Sequence, residues 1–450
     1  MFKRKIYEKI KEWKRESNGK TALLIEGARR VGKSTIVEEF AKMEYDSYIL
    51  IDFSVASAQI RELFDDMSDL NYFFLQLQLQ YKVDLTERKS VIIFDEVQLC
   101  PYARQAIKTL VKDGRYDYIE TGSLISIKKN VKDILIPSEE RKLQMHPMDF
   151  EEFLWALNDN STMKLLKSVF DNKKNFGDRL NRKLMRDFRL YMLVGGMPQS
   201  VNEYITTNNF RKVDMVKRDI LNLYEDDFRK IDSTGRLAML FEAIPSQLNK
   251  NTRGFQTKKV LNSYKTTDNS ILSMISELKD SKVVSVAYHA NDPNVGLSAY
   301  KDLNKFKLYL ADTGLFVTLQ FKDKDFTDNI IYEKLLNDKL SANLGYLYEN
   351  AVAQILTSTG NELFYYTFSN VKQKKNYEID FILSRKNKIC PIEVKSSNYK
   401  VHTSIDEFYV KFSDRILNRY IIHSKDVSKD KDILCIPFYL TQFIAQKEDI

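Results

Sequence analysis

Hydrophobic and polar positions along the first 150 residues fall into two alternating kinds of run. Short apolar stretches, ALLIE (22–26), YILIDF (48–53), VIIFDE (91–96) and YDYIET (116–121), read as strands. Longer amphipathic stretches lie between them, and this alternation predicts an α/β domain with a mostly parallel sheet. From about 150 to 250 the strand signal fades: PMDFEEFLWAL and DRLNRKLMRDFRLYMLV read as helices, followed by a turn at Gly195-Gly196-Met197-Pro198. Short helices are expected at Lys258–Tyr264 and Asp268–Leu278. A strand pair, KVVSVAYH and KFKLYLA, follows across a polar loop, an order that resembles a winged helix-turn-helix. The charged stretch FKDKDFTDN at 321–329 is the best candidate boundary. Beyond it come a helix, LGYLYENAVAQIL (344–356), and the strands ELFYYTF, YEIDFIL and ICPIEVK.

Composition narrows the class. The chain has 450 residues, 43% hydrophobic and 29% charged, with only 14 Gly and 8 Pro, which suits a core-forming, helix-rich protein. Cys100, Cys390 and Cys435 show no paired spacing, so neither a disulfide scaffold nor a cysteine zinc site is expected, and a reducing, cytoplasmic setting fits. No signal-peptide core opens the chain, and its most apolar stretch, 433–445, is too short to span a bilayer; no membrane partner is expected. The formal net charge of +8 leaves a polyanionic partner open. That charge is unevenly placed. Residues 1–35 carry eleven basic and four acidic side chains, residues 364–401 eight and three, and the remainder is net acidic.

The segment GARRVGKS (27–34) satisfies G-x-x-x-x-G-K-[ST], with an apolar strand running in and an amphipathic helix (Ile36, Val37 and Phe40 apolar) running out. Gly27 and Gly32 permit a backbone that wraps phosphates with its N–H groups at a helix N-terminus. The cradle expected for ATP is Gly27, Ala28, Arg29, Arg30, Val31, Gly32, Lys33, Ser34 and Thr35. Lys33 is expected on the β- and γ-phosphates and the Ser34 hydroxyl on Mg²⁺. Four apolar residues ending in Asp95-Glu96 look like a Walker B strand, with Asp95 on Mg²⁺ and Glu96 activating water. The next strand ends Glu120-Thr121-Gly122-Ser123, and either Ser123 or Thr121 suits a sensor between γ-phosphate and water.

The ordered series GARRVGKST, VIIFDEVQLCP, ETGS, RKLQMHPMDFEEFL, GGMPQSV, RDILNLYEDDF and KLYLADTGL resembles prokaryotic AAA+-type ATPases that carry a C-terminal domain of unknown function. The resemblance implies an α/β multidomain chain with a P-loop (RecA/AAA+-like) core, 1–155. A helical lid at 156–250, a winged-helix segment at 251–320 and a restriction-endonuclease-like domain at 330–450 would follow. It also makes Arg141 a candidate finger or sensor, in cis or in trans, although Glu140 stands where the family usually has glycine. By analogy it allows a homo-oligomer, for which the residues give no signal.

In the C-terminal part, Glu349 sits on a helix, Asp380 on YEIDFIL, and Glu393 and Lys395 on one side of the next strand. This set resembles the PD-(D/E)xK nuclease site. Asp380, Glu393 and Glu349 would hold Mg²⁺, with Lys395 positioning the nucleophile. Fold is not activity. Three readings therefore stand: an ATPase driving a nuclease-like domain on nucleic acid, an ATP-dependent switch whose nuclease-like domain no longer cuts but docks DNA or a protein, or a toxin-like or signalling ATPase with no nucleic-acid partner.

Overall fold

A computed structural model describes residues 1–122, 138–249, 254–261, 268–323, 329–337, 345–370 and 375–446. The chain divides into two compact units, residues 1–146 with 280–282, and residues 147–279 with 283–450.

The first unit is built on a five-stranded sheet: β1 (Ala22–Gly27), β2 (Ser47–Asp52), β3 (Ser90–Asp95), β4 (Asp117–Gly122) and β5 (Glu140–Met145), in the order β2-β3-β4-β1-β5. Every neighbouring pair is parallel. The four expected strands form within a residue of their expected positions; β5, too charged to read as a strand, is the addition. Helices cover both faces, which is why Val91-Ile92-Ile93-Phe94 is apolar without alternation. Leu23, Ile25, Val91 and Ile93 pack with Trp13, Ile36, Val37 and Phe40 on one face. Leu24, Ile92 and Phe94 pack with Phe73, Phe74, Ile107 and Leu110 on the other. A parallel sheet sandwiched by helices, with β4 inserted between the P-loop strand and the acidic strand, fits a P-loop ATPase.

One ion pair interrupts the second face. Arg104, on the helix Pro101–Asp113, meets Glu140 at 3.1 Å with both side chains buried. Fully buried Glu120 is pushed well above the usual carboxylate range, first by desolvation and then by Glu140 beside it. Glu140, which departs from the family pattern, is therefore the internal partner of Arg104.

The second unit holds helices from Phe150–Ala156 to Phe210–Ile231 and two sheets. The expected strand pair forms as β6 (Val284–Ala290) and β7 (Lys301–Leu310). Strand β6 also takes β8 (Leu363–Asn370) as a parallel neighbour, giving the four-stranded order β7-β6-β8-β9, with β9 at Lys375–Ile379. The expected wing is thus part of a sheet completed from beyond the expected boundary at 321–329, because strand pairing across that distance leaves no local signal. YEIDFIL breaks at Asp380. Its second half, β10 (Phe381–Arg385), enters a separate sheet with β11 (Lys388–Val394), β12 (Arg419–His423), β13 (Ser428–Asp430) and β14 (Ile433–Pro437).

The GGMP and ADTG segments meet in a buried polar junction. The Gly196 amide donates to Asp312 Oδ2 at 2.5 Å, and Met148 N donates to the Gly196 carbonyl at 2.7 Å. A Cβ on Gly196 would lie 2.1 Å from Met148 O, so only glycine fits. Lys217, wholly buried, donates to the carbonyls of Leu193 and Gly314 and to Tyr332 Oη. Among the described residues no helix is long and apolar enough to cross a membrane, and the three cysteines are buried and form no disulfide.

Candidate nucleotide site and C-terminal acidic cluster

The first site lies at the C-terminal ends of β1, β3 and β4. Past Gly27 the chain turns through Arg30 (φ 66°) and Gly32 (φ 99°), both left-handed, before the helix Lys33–Glu44 begins. Such turns aim successive N–H groups at one point and form an anion cradle. Gly27 is required by close approach, since a Cβ there would meet Met145 O of β5 at 2.4 Å. Ala28 and Val31 are buried, fixing the loop to the core, while Arg30 and Thr35 are exposed and Arg29 is half-buried.

Lys33 Nζ donates to the carbonyls of Gly27 and Ala28, each at 3.0 Å. Burial pushes its pKa down to about 8, against the opposing pull of Glu96 and Asp95. Ser34 Oγ donates to Asp95 Oδ1 at 2.8 Å, and the Thr121 hydroxyl donates to the same oxygen. Two hard oxygen donors side by side suit Mg²⁺. The loop and its donors thus fit both ATP and Mg²⁺. Glu96 follows in a left-handed conformation (φ 52°), and the Gln98 side-chain amide donates to its carboxylate. Ser123 lies outside the described residues. Arg141 pairs in register with Leu23, four residues before Gly27 on β1, and bonds Glu16 at 2.6 Å. At 3.3 Å per residue that is about 13 Å from the phosphate end of the strand, so Arg141 does not join this chain's own cradle.

In the second unit, Asp380 and Glu393 come from strand ends, and Glu349 from the helix Gly345–Ser358. Burial, and next Glu349, push Asp380 well above the usual carboxylate range, with Glu378 and Glu393 adding to the effect. Its Oδ2 accepts the Val394 amide at 2.7 Å. Burial likewise raises Glu393, against the pull of Lys395, whose Nζ lies 2.6 Å away. The four expected residues are therefore neighbours. The cluster also holds a cation that the sequence pattern did not reveal. Lys307 Nζ of β7 lies 3.1 Å from Glu349 and also bonds Glu378, while Tyr309 donates to Glu349. Burial works against the Lys307 charge, but the surrounding carboxylates and Tyr309 outweigh it and drive its pKa well up. Among the described residues no three His, Cys, Asp or Glu side chains are placed to hold a metal ion. Of the three carboxylates expected to hold Mg²⁺, Glu349 is met by the Lys307 ammonium, Glu393 by Lys395 and Asp380 by the Val394 amide.

Residues 19–154 match the family model described as an AAA domain. The N-terminal unit is an AAA-type, ATPase-like domain. Residues 185–325 and 344–440 match two domains of unknown function, DUF8612 and DUF4143. A relative from Haemophilus influenzae, named only as an uncharacterized protein, is 21% identical over 395 residues, covering 85% of this chain and 90% of its own. Among solved structures, a Walker-type ATPase of Pyrococcus abyssi is similar at TM-score 0.43 and 17% identity, over 71% of this chain and 96% of its own. The Aeropyrum pernix ORC1 protein in complex with DNA gives TM-score 0.27 and 12% identity, over 75% and 93%. Likenesses at such TM-scores assign no function to this chain.

Three residues of consequence carry little or no sequence signal. Arg4 donates to the Val31 carbonyl at 3.1 Å and to His146 O at 2.6 Å, tying the AAA domain's phosphate loop to the chain beyond β5. Gln98 is hidden in the run after the acidic pair. Lys307 has a partial signal, since alternation puts it on the same side of its strand as Tyr309; the carboxylates that face it come from elsewhere in the chain.

Proposed function

We propose that the AAA domain is an Mg²⁺-dependent ATP hydrolase and that the C-terminal part is a docking platform, not a nuclease. The hydrolase reading is carried by Ser34 Oγ and Asp95 Oδ1 lying 2.8 Å apart beside the phosphate cradle. In this reading the loop amides and Lys33 bind the β- and γ-phosphates, with Lys33 exchanging the Gly27 and Ala28 carbonyls for phosphate oxygens. Ser34 and Asp95 would hold Mg²⁺, which when bound would offset the charge developing on the phosphate, and Thr121 keeps the Asp95 oxygen aimed. Glu96 takes a proton from water as its oxygen attacks the γ-phosphorus, and the bond to the leaving ADP oxygen breaks with its electron pair. ATP turnover by wild-type protein, lost in Lys33→Ala and in Glu96→Gln, is the expected result; a wild-type protein that turns over no ATP refutes it.

Lys307 favours docking over cutting. Of the three carboxylates expected on a metal ion, Glu349 already holds the Lys307 ammonium, which also bonds Glu378, and Glu393 already holds Lys395, so two of them have their charge met internally. Incubation with plasmid and single-stranded DNA in Mg²⁺ or Mn²⁺ is expected to leave both intact. Cutting that disappears in Asp380→Ala and Lys395→Ala would restore the nuclease reading.

A further inference from the structure

At the opposite end of the first sheet from the phosphate loop, an open cavity of about 450 Å³ is lined by Lys20, Arg88, Lys108, Lys112 and, among the described residues, a single carboxylate, Glu139. Its walls are the turns that feed the strands: Lys20 precedes β1, Arg88 precedes β3, and Glu139 precedes β5. We propose that this cavity is a second anion site, for a phosphate group carried by a small molecule, separate from the ATP cradle.

The walls are preformed. Gly19, Arg88 and Gly114 all take left-handed backbone, with φ of 81°, 59° and 76°. Main-chain bonds lock the turns together, Arg88 N donating to Arg115 O at 2.7 Å and Ala22 N to Glu139 O at 2.8 Å. The Arg88 guanidinium is fixed by Asp117 at 2.9 Å and lies across Gly19, where a Cβ would fall 2.3 Å from Nη1. A planar donor fork held in place before a ligand arrives suits phosphate oxygens.

The charge balance decides the sign of the ligand. The helices Ile6–Ser17 and Pro101–Asp113 both end at the cavity, at Asn18 and Gly114. Each helix C-terminus contributes about half a negative charge, and Glu139 contributes one more. Asp117 answers Arg88. Three lysines against these terms leave about one positive charge unmet, so helix-end stabilisation alone does not account for the cluster. Among the described residues the lining offers no aromatic ring for a base to stack on, and Val111 is its one large apolar side chain. Compact phosphate is therefore favoured over exposed nucleobases.

The test uses the full chain carrying Lys33→Ala, so that the ATP cradle does not report, titrated with inorganic pyrophosphate in a calorimeter. Saturable binding is expected, weakened about tenfold by Lys108→Ala or Lys112→Ala and abolished by Lys20→Glu/Lys108→Glu/Lys112→Glu. The same triple variant with Lys33 restored is expected to keep its wild-type far-UV circular dichroism, because none of the three lysines belongs to the core. Absence of pyrophosphate binding, or binding that the triple variant leaves unchanged, overturns the proposal. So does a duplex oligonucleotide that binds through these lysines while pyrophosphate does not, which would make the cavity part of a nucleic-acid face.

Discussion

Gln98 is 3% exposed and donates its side-chain amide to the Glu96 carboxylate, within a tight turn that holds Glu96 in left-handed backbone. If Glu96 is the base for the attacking water, Gln98 positions it without touching substrate. Replacing Gln98 by Ala removes one hydrogen bond to a charged group, worth about 1.5–3 kcal/mol. If that energy is used in the transition state, turnover falls roughly 10- to 100-fold. The phosphate loop keeps its own contacts, so KM for ATP is expected to stay within about twofold. Steady-state ATP turnover of Gln98→Ala, Glu96→Gln and the double variant separates positioning from general damage. Because Gln98 acts through Glu96, the double variant should be no slower than Glu96→Gln alone. A Gln98→Ala enzyme with wild-type kcat, or a double variant slowed by the product of the two single effects, refutes the reasoning.

The phosphate loop and the two buried junctions carry three more expected outcomes. Burial sets Lys33 at about 8 in the nucleotide-free protein, and phosphate needs its charged form. ATP affinity should therefore hold steady below pH 7 and weaken above about 8, toward tenfold per pH unit; equilibrium titrations with a non-hydrolysable analogue that stay flat to pH 9.5, a value chosen about 1.5 units above that pKa, would contradict it. Arg104→Met takes from buried Glu140 its buried cation, leaving the half-exposed Lys142 at 3.5 Å, and should cost the N-terminal unit up to about 3–5 kcal/mol in urea unfolding. Arg104→Lys should recover part of this, because a single nitrogen, Nη2, makes both bonds to Glu140 and the shorter lysine reaches less far. Gly196→Ala drives a Cβ into the Met148 backbone at 2.1 Å and should lower the unfolding temperature of the second unit by several degrees, a loss readable by scanning calorimetry while ATP binding to the first unit persists.

The strands and helices of the first unit were legible because a doubly covered parallel sheet writes itself locally. Val91-Ile92-Ile93-Phe94 needs no partner to read as a buried strand, and Gly27, Gly32, Lys33 and Ser34 carry their chemistry in a single loop. Strand β5 was not legible, since Glu140, Arg141 and Lys142 look like surface. Its pairing with β1 and the burial of Glu140 against Arg104 depend on a helix 36 residues earlier. The break at Asp380 was equally hidden: YEIDFIL reads as one strand, and only the separate partners β8 and β11 divide it.

Charge shows the same division. Sequence alone placed the basic surplus in residues 1–35 and 364–401 and identified the ATP loop, because both are properties of contiguous residues. The tertiary structure decided what most of the charged side chains meet. It set Arg4 against the Val31 carbonyl, gathered Lys20 with Arg88, Lys108 and Lys112 around one cavity, and put Lys307 against Glu349, one of the carboxylates expected to hold a metal ion. Electrostatic partners are chosen by distance in space, and distance in space between remote segments is what packing creates.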